Sequence, residues 1–402
     1  MHFRVYVCIV ASQLAICVAA ADEVPLLKPV LLGAQYTFVD QRQDALHSPY
    51  AGERSLRADG DVARSHTFGA YFGMQASSRL AMYLDVEMFR GEGVSDSTGM
   101  GGLPNGDVIH GGGTLPRHAY VARVFATYDI PLGDGSTAVK RKMDQLPGHQ
   151  PTDRLQLKGG LLAVSDDFDK SSYAGSARTQ FLNWSFQNSP AWDFAANTRG
   201  YTMGGVVTLV KKAWTVRYGV YQMPSQANGD HLQGPLSRAR GDNLEVVWQP
   251  DPDGISLRVM GYRNTARMGI YRDAIAAAPP GGVPDIVADD KDGRHKRGFA
   301  VGMDLPLADD GDTGWFIRAA RNDGRTESFA FTEADASIST GLQIAGRAWG
   351  RRDDRIGIAF AQNRLSPDHR DYLKDGGVGF VLGDGNLRYA RRTSPKRTTR
   401  WP

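Results

Sequence analysis

The sequence predicts an all-β fold, and three observations support the prediction. Apolar and polar residues alternate, as in strands, over about ten residues at a time. Turns rich in Gly, Asp, Pro and Asn separate these segments, and the 402-residue chain contains 47 glycines. No apolar run long enough for a membrane-spanning helix follows the N-terminal segment. The length suits one large β structure or two ordinary domains.

The alternating segments place apolar side chains on one face and polar side chains on the other. Between residues 83 and 89, for example, Leu84 and Val86 alternate with Asp85 and Glu87. About fifteen such segments are predicted, near residues 32–39, 66–75, 80–89, 119–129, 154–163, 201–209, 213–222, 242–249, 255–263, 297–305, 314–321, 340–347, 355–362, 376–382 and 386–390.

Two architectures explain this alternation. In a soluble sandwich the apolar face packs on a second sheet, whereas in an outer-membrane β-barrel it faces lipid and the polar face lines a wet lumen. The barrel is favoured, because the polar faces contain single charges of both signs. Aromatic residues also recur near the segment ends, among them Tyr83, Phe89, Trp214 and Trp248.

The N-terminus has the features of a secretory signal peptide, predicted for residues 1–21. Arg4 precedes an apolar core at 5–18, and three alanines at 19–21 form a cleavage site. Both cysteines, Cys8 and Cys17, lie inside this segment. We therefore expect an exported mature chain with no disulfide, no thiolate metal site and no cysteine nucleophile.

The net charge of +3 comes from the two ends of the chain. The predicted domains are the signal peptide, a barrel at 22–390 and an atypical basic tail at 391–402, which holds five basic residues and no acidic one. Between the two ends the charge is close to neutral, with mixed signs. This distribution argues against a nucleic-acid-binding protein.

One stretch near the middle of the chain, residues 178–202, has an unusual composition. It combines six aromatic residues with five side-chain amides, and Arg178 and Arg199 bracket it. Its apolar residues follow neither a strand nor a helix period. Aromatic faces beside amides and arginines suit hydroxylated rings, so the stretch is either a sugar-contacting platform or a loop packed on its own aromatics.

Motifs for other chemistry are incomplete. The sequence 110–113, HGGG, resembles an esterase oxyanion loop, but no Gly-x-Ser-x-Gly motif accompanies it. The acidic clusters at 166–169 and 309–312 lack the spacing of a calcium-binding loop. We expect no metal, no cofactor and no enzymatic activity.

Several segments resemble one known family. These are DDFDKSSYAGSARTQFLNW from 166 to 184, RYGVYQMPSQANG from 217 to 229 and WGRRDDRIGIAFAQNRLSPDHRDYL from 349 to 373. They resemble the carbohydrate-selective porins of the OprB type. The resemblance implies a transmembrane antiparallel outer-membrane β-barrel of about sixteen strands in the family, with 14–16 expected here, through which sugars diffuse.

The resemblance stops at Tyr389. The basic tail contains Pro395 and Pro402 and does not alternate. We interpret the tail as a truncated or frame-shifted end, with a genuine basic tail as the alternative. An unclosed barrel edge in lipid would leave backbone groups unsatisfied.

The predicted function is passive, selective diffusion of mono- and small oligosaccharides across the cell outer membrane. The predicted partners are carbohydrates as permeants, outer-membrane lipid and the barrel-assembly machinery, with no nucleic acid. The chain is expected as a monomer or a homo-oligomer. An inward-folded loop near the sugar path is predicted to include Arg178, Asn183, Trp184, Trp192 and Arg199. The charges predicted to face the lumen are Asp85, Glu87, Arg123, Arg154, Lys158, Arg217, Glu245, Arg258, Asp304 and Arg318.

Two other classes of protein stay open at this point. An outer-membrane barrel hydrolase would need a nucleophile beside a base, and Ser366 with His369 is the nearest such pair, although we interpret it as a turn. The other class is a non-conducting structural or secretion-associated barrel. For any single lumen charge, pairing with a neighbour across the strands is the simpler interpretation.

Overall fold

The computed structural model describes residues 30–47, 52, 54–108, 118–142, 145–329, 333–385 and 392–400. The predicted signal peptide, both cysteines and the HGGG sequence lie outside these residues. None of the described helices is long and apolar enough to cross a membrane.

Fourteen strands form one antiparallel sheet in which neighbours follow chain order, and two shorter strands, β5 and β6, form a separate hairpin. The strands are β1 (Val30–Gln43), β2 (Asp61–Gln75), β3 (Leu80–Gly91), β4 (Tyr120–Pro131), β5 (Ser136–Val139), β6 (Gly148–Pro151), β7 (Arg154–Leu162), β8 (Thr202–Lys211), β9 (Trp214–Gln222), β10 (Arg240–Trp248), β11 (Ser256–Met268), β12 (Lys291–Ala308), β13 (Thr313–Asn322), β14 (Ala336–Ala345), β15 (Arg355–Arg364) and β16 (Arg392–Arg400). Two short helices, α1 (Tyr271–Ala277) and α2 (Pro367–Lys374), lie in the connections.

The two faces of the sheet differ in chemistry, as the alternation predicts. On β11, Leu257 and Val259 are 37% and 59% exposed, whereas Arg258 and Met260 are 5% and 2% exposed. The same alternation of exposed apolar and buried polar side chains recurs along the sheet. An apolar outer face with a polar inner face is the pattern of a transmembrane barrel.

The connections are of two kinds, and with one exception each kind lies at its own end of the strands. Short turns join β2 to β3, β8 to β9, β10 to β11, β12 to β13 and β14 to β15, and we call this the turn end. Long connections lie at the opposite loop end, and the longest is 163–201, between β7 and β8. This connection, here named the inward loop, follows the fifth strand of the main sheet and precedes the sixth. It contains the unusual central stretch.

One long connection, residues 132–153, lies at the turn end, and the sequence did not reveal its structure. It contains the β5–β6 hairpin. Its Leu146 is buried against Leu31 and Ala81, which lie on the inner face of β1 and β3. Nη2 of Arg141 donates to the carbonyl oxygen of Leu32 at 2.5 Å. The segment therefore packs against the inside of the sheet at this end.

The last part of the chain differs from the prediction. Residues 376–382 form a loop with an isolated bridge between Gly379 and Gly383 instead of a strand, and the segment predicted at 386–390 lies outside the described residues. The predicted basic tail contains β16, which pairs with β15. Among the described residues β1 and β16 are the two ends of the sheet. An end strand tolerates Pro395, because proline has no N–H to donate and only one side of an end strand is paired.

The outer face offers a direct test of membrane insertion. We expect Val259→Arg to destabilise the barrel in lipid by about 2–4 kcal/mol, the cost of an arginine on the lipid face near the bilayer centre. Urea unfolding in phospholipid vesicles measures this cost.

Val287→Arg is the matched control, because Val287 is 60% exposed but lies in the connection between β11 and β12. Equal destabilisation by the two variants would contradict a lipid-facing position for Val259.

Candidate functional site

The inward loop returns from β7 to β8 through the interior of the barrel. Phe168, Phe186 and Trp192 on the loop are fully buried. Phe168 and Trp192 pack in one cluster with Tyr221 of β9 and Tyr262 of β11. The aromatic residues of this stretch, which follow neither a strand nor a helix period in the sequence, thus pack either inside the loop or between the loop and the barrel wall.

Trp192 fastens one part of the inward loop to the wall. Its indole Nε1 donates to Asn243 Oδ1 of β10 at 2.9 Å. The carbonyl of the preceding residue, Ala191, accepts from the Tyr262 hydroxyl at 2.9 Å and from Asn322 Nδ2 at 3.1 Å. Because Trp192 has no exposed surface, a sugar cannot stack on it. Its predicted place in the sugar path is wrong, and its contacts are those of an anchor.

Arg318 of β13 supports the loop backbone from the wall. Its side chain is 1% exposed. Its guanidinium donates to the carbonyl oxygens of Phe186 at 3.0 Å, Asp169 at 2.9 Å and Ala174 at 2.6 Å. The Asp169 carboxylate lies 3.6 Å from Nε. Arg318 thus bonds carbonyl groups that would be costly to leave without partners inside the barrel.

Glu245 of β10 also supports the loop, but as a hydrogen-bond acceptor, whereas Arg318 acts as a donor. Its Oε2 accepts from the backbone N–H of Asp169 at 2.8 Å, and its Oε1 pairs with Arg217 at 2.9 Å. The carboxylate is buried, so the two partners replace the water it has lost. Each loop residue held in this way is fixed relative to the sheet.

Asp304 of β12 repeats the arrangement. It accepts from the Ser171 hydroxyl and from the Ser172 backbone N–H, both at 2.8 Å. Arg258 of β11 donates to the same carboxylate at 3.0 Å. Both side chains of the ion pair are 5% exposed. Arg217 and Arg258 therefore act on the loop through the carboxylates that they hold.

An ion pair that the sequence analysis missed anchors the loop near its C-terminal end. Lys296 of β12 is fully buried, and its Nζ lies 3.2 Å from Asp193 Oδ2. Nζ also donates to the Glu327 carbonyl at 3.1 Å. Asn264 of β11 donates to the carbonyl of Asp193. The sequence contained one signal for this ion pair: Lys296 and Asn264 occupy inward-facing positions that alternate with outward-facing ones on their strands.

Arg178 joins the inward loop to the opposite wall. Its Nε donates to Asp107 Oδ1 at 2.7 Å, and its Nη1 donates to Gln35 Oε1 at 2.9 Å and to the Tyr71 hydroxyl at 3.2 Å. Burial alone would lower the pKa of Arg178, but the Asp107 carboxylate outweighs it and raises that pKa. The guanidinium is therefore a permanent cation. The other oxygen of Asp107 accepts from Thr67 of β2 at 2.6 Å.

The connection between β3 and β4, residues 92–119, contacts the inward loop directly. The backbone N–H of Trp184 donates to the Leu103 carbonyl at 3.0 Å, and that of Gly106 donates to the Leu182 carbonyl at 2.9 Å. Asn183 caps the short turn that begins at Trp184, because its side-chain oxygen accepts from the Ser185 N–H at 2.9 Å. Asn183 thus shapes the loop.

A cavity of about 670 Å³ remains between the inward loop, the β3–β4 connection and the inner faces of β1 to β4. Arg178, Trp184 and Arg199 of the predicted path residues line it, whereas Asn183 and Trp192 do not. Amide side chains of Gln35 and Gln180 also face it. The cavity thus presents aromatic faces, amides and cations together.

Of the ten charges predicted for the lumen, Glu87 and Arg123 line this cavity. Arg123 makes a bidentate contact with Asp166, at 2.7 and 3.0 Å. Burial alone would raise the pKa of Asp166, but Arg123 holds it far below its usual value. Glu87 accepts hydrogen bonds from the Tyr120 and Tyr201 hydroxyls.

The other predicted charges on β3 and β7 are also paired, Asp85 and Arg154 within the wall and Lys158 with a carboxylate of the inward loop. Asp85 lies 3.5 Å from Arg123. Lys158 pairs with Asp167 at 2.7 Å, and Arg154 lies 3.7 Å from Asp129. Together with the supports of the inward loop on β9 to β13, these contacts account for all ten positions.

Ser366 and His369 are not arranged as a nucleophile and its base. The Ser366 hydroxyl donates to the Gly324 carbonyl at 2.6 Å and accepts from the backbone N–H of His369, as the cap of α2. The imidazole Nδ1 of His369 lies 3.0 Å from Asp335, and Nε2 lies 3.5 Å from Glu333. Both ring nitrogens therefore face carboxylates.

These features define a class of protein. A barrel with an apolar outer face, a charged inner face and its longest loop folded inside is a channel-forming outer-membrane protein. The profile of the family described as "Carbohydrate-selective porin, OprB family" matches residues 59–387. The chain belongs to this family and is an outer-membrane channel for carbohydrate diffusion. Family and fold indicate a channel rather than an enzyme.

Solved porin structures resemble this fold at low sequence identity. Salmonella typhi OmpF, solved in complex with daunomycin, has a TM-score of 0.40 at 9% identity and covers 92% of this chain and 98% of its own. Trimeric OmpT of Vibrio cholerae gives 0.37 at 11%, covering 93% and 99%. OccK8 of Pseudomonas aeruginosa gives 0.37 at 10%, covering 85% of each chain. Among the curated proteins no sequence matches.

The support that Arg318 gives to the inward loop can be tested by its removal. We expect Arg318→Met to cost about 3–5 kcal/mol, because it leaves buried groups without a partner. Single-channel conductance should rise as the loop leaves the wall. Planar-bilayer recording and urea unfolding measure the two effects.

Arg347→Met is the control, because the Arg347–Asp310 pair is 43% and 86% exposed and is worth less than about 1 kcal/mol. Unchanged conductance in Arg318→Met would show that the loop holds its place without this arginine.

The buried histidine predicts a pH dependence of stability. Burial alone would lower the pKa of His369, but Asp335 and Glu333 raise it from 6.5 to about 9. The folded state therefore binds the proton more tightly than the unfolded state. This contribution, about 3 kcal/mol, is complete below pH 6.5 and is lost as the pH rises through 9.

Unfolding in vesicles across this pH range tests the expectation, with His369→Gln as the comparison. In His369→Gln the unfolding free energy should fall much less between about pH 6.5 and pH 9 than it does in the unmodified protein. An equal decline in both proteins would assign it to other groups.

Proposed function

We propose that mono- and small oligosaccharides pass through the gap between the inward loop, the β3–β4 connection and the inner faces of β1 to β4. The observation that supports this path is the uneven attachment of the inward loop, which packs on one wall and reaches the opposite wall only through side-chain contacts such as those of Arg178. Its anchors, among them Trp192, Arg318 and Lys296, reach strands β10 to β13, so the open space lies against the opposite wall.

The groups around this space suit sugars. The indole of Trp184 and the rings of Tyr71 and Phe89 offer apolar faces, and the amides of Gln35 and Gln180 offer hydrogen bonds to hydroxyl groups. No bond is made or broken in this function. Passage needs contacts strong enough to admit a sugar and weak enough to release it.

Arg178, Trp184 and Arg199 are the proposed selective residues of the inward loop, with Glu87 and Arg123 on the facing wall. Arg199 rests on the ring of Tyr120, with its guanidinium carbon 3.9 Å from the ring centroid, which keeps the cation at the cavity surface. Lipid covers the outer face in this proposal, and the barrel-assembly machinery inserts the chain.

Uptake of radiolabelled glucose, maltose and a large dextran into proteoliposomes tests the function. Glucose and maltose should enter and dextran should not. Release of hydrolysis products without sugar flux would instead identify a hydrolase. Absence of both flux and conductance would identify a structural barrel.

Trp184→Ala tests the path itself. Loss of the indole face should lower the preference for glucose over an acyclic polyol of similar size by about two- to tenfold, since an aromatic contact is worth about 0.5–1.5 kcal/mol. Competition between the two solutes in proteoliposomes measures the preference.

Trp214→Ala is the matched control, because Trp214 is 52% exposed on the outer face. If Trp184→Ala inserts normally and keeps the full preference, the loop is only a scaffold and the proposed path is wrong.

A further inference from the structure

Around the cavity, positively charged side chains are more exposed than negatively charged ones. Lys142 and Lys170 line the cavity and are exposed, and Arg199 is half-buried. Three of the four carboxylates that line the same cavity, those of Glu87, Asp107 and Asp169, are covered. The side chain of Asp107 is 4% exposed, and Glu87 is 5% exposed. A solute in the cavity therefore meets cations before it meets carboxylates.

The covered carboxylates point toward the protein, where hydrogen-bond donors occupy their oxygen atoms. Glu87 accepts hydrogen bonds from the hydroxyl groups of Tyr120 and Tyr201. Asp107 accepts from Arg178 and Thr67. These hydrogen bonds occupy oxygen atoms that a solute cation would need, and Arg178 also balances the charge of Asp107.

Asp166 is the most accessible carboxylate of the lining, and its side chain is 27% exposed. Both of its oxygens accept from the Arg123 guanidinium, at 2.7 and 3.0 Å. A bidentate pair of this kind is among the stronger charge-assisted contacts. Arg123, which also lies 3.5 Å from Asp85, therefore offsets part of the charge that Asp166 shows to a solute.

The three accessible cations lack such balance. No carboxylate of the described residues lies within 4.0 Å of Lys142, Lys170 or Arg199, and the described hydrogen bonds include none from the Arg199 guanidinium. The guanidinium carbon of Arg199 instead lies 3.9 Å from the centroid of the Tyr120 ring, a contact that leaves its N–H groups available to a solute. Lys170 and Arg199 belong to the inward loop, and Lys142 belongs to the connection 132–153 at the turn end.

We propose that the channel favours saccharides that bear a carboxylate, such as uronic acids, over neutral sugars of the same size, and that it disfavours amino sugars. This inference rests on the proposed sugar path. Along the lining of the cavity a carboxylate meets three accessible cations, which two separate segments contribute, and its oxygens match the planar donor edge of Arg199. A neutral sugar keeps only the aromatic and amide contacts.

Three hexose derivatives of similar size and different charge test the proposal: glucuronate, glucose and glucosamine. Their uptake into proteoliposomes is compared at slightly acidic pH, where the amine is protonated. Valinomycin with equal potassium on both sides prevents a membrane potential from building up. We expect glucuronate to enter about three- to tenfold faster than glucose, and glucosamine to enter more slowly than glucose.

Charge-removing variants assign the preference to residues. Lys170→Gln and Arg199→Gln should each lower the ratio of glucuronate to glucose uptake by about two- to fourfold. The double variant should lower it further. Lys374→Gln is the matched control, because Lys374 is exposed at the end of α2 and does not line the cavity. The preference should shrink in about 1 M salt, where the screening length is about 3 Å.

The reversal potential in a potassium chloride gradient separates this inference from the proposed function. An anion-selective potential that Lys170→Gln weakens supports the inference even if glucose does not pass, in which case only the sugar path fails. Equal uptake of the three hexoses, a preference for glucosamine or a cation-selective potential would overturn the inference. Glucose flux would still support the sugar path. A protein without conductance or flux would overturn both.

Discussion

The structure depends on how the backbone of the inward loop is satisfied inside the barrel. A segment that leaves the sheet loses the backbone hydrogen bonds of the strand ladder. Inside a packed interior its backbone groups also cannot bond to water. Each buried N–H or C=O group without a partner costs about 1–3 kcal/mol. The wall supplies these partners from its own side chains. Arg318 donates to four loop carbonyls, those of Asp169, Ala174, Phe186 and Gln187, and Glu245 and Asp304 accept loop N–H groups.

This requirement explains why so many charges face inward without lining the open space. A charged side chain bonds a backbone group more strongly than a neutral one, and its own charge must then be balanced by a neighbour. Arg217 balances Glu245, and Arg258 balances Asp304. The charges on β9 to β13 therefore hold one side of the loop, and the open space lies against β1 to β4.

The same geometry sets the electrical character of the cavity. Carboxylates that bind hydroxyl groups or guanidinium groups are drawn toward the protein, as Glu87 and Asp107 are. Lysines on long, flexible side chains extend toward water, as Lys170 does. A cavity lined by nearly equal numbers of acidic and basic residues can therefore show a solute mainly positive charge. Counting charges along the sequence does not reveal this asymmetry.

The sequence by itself determined the strands and the direction of their side chains, because alternation with a period of two assigns each residue to a face. It also determined where the longest loop leaves the sheet and that this loop is unusually aromatic. It did not determine which inward charges meet water. Arg318 and the loop carbonyls that it binds are 131 to 149 residues apart, and no local pattern records such a contact. Trp192 became an anchor while Trp184 stayed at the cavity, and β16 formed where alternation is absent. Only tertiary packing decided these points, since they depend on which distant group satisfies each buried donor and acceptor.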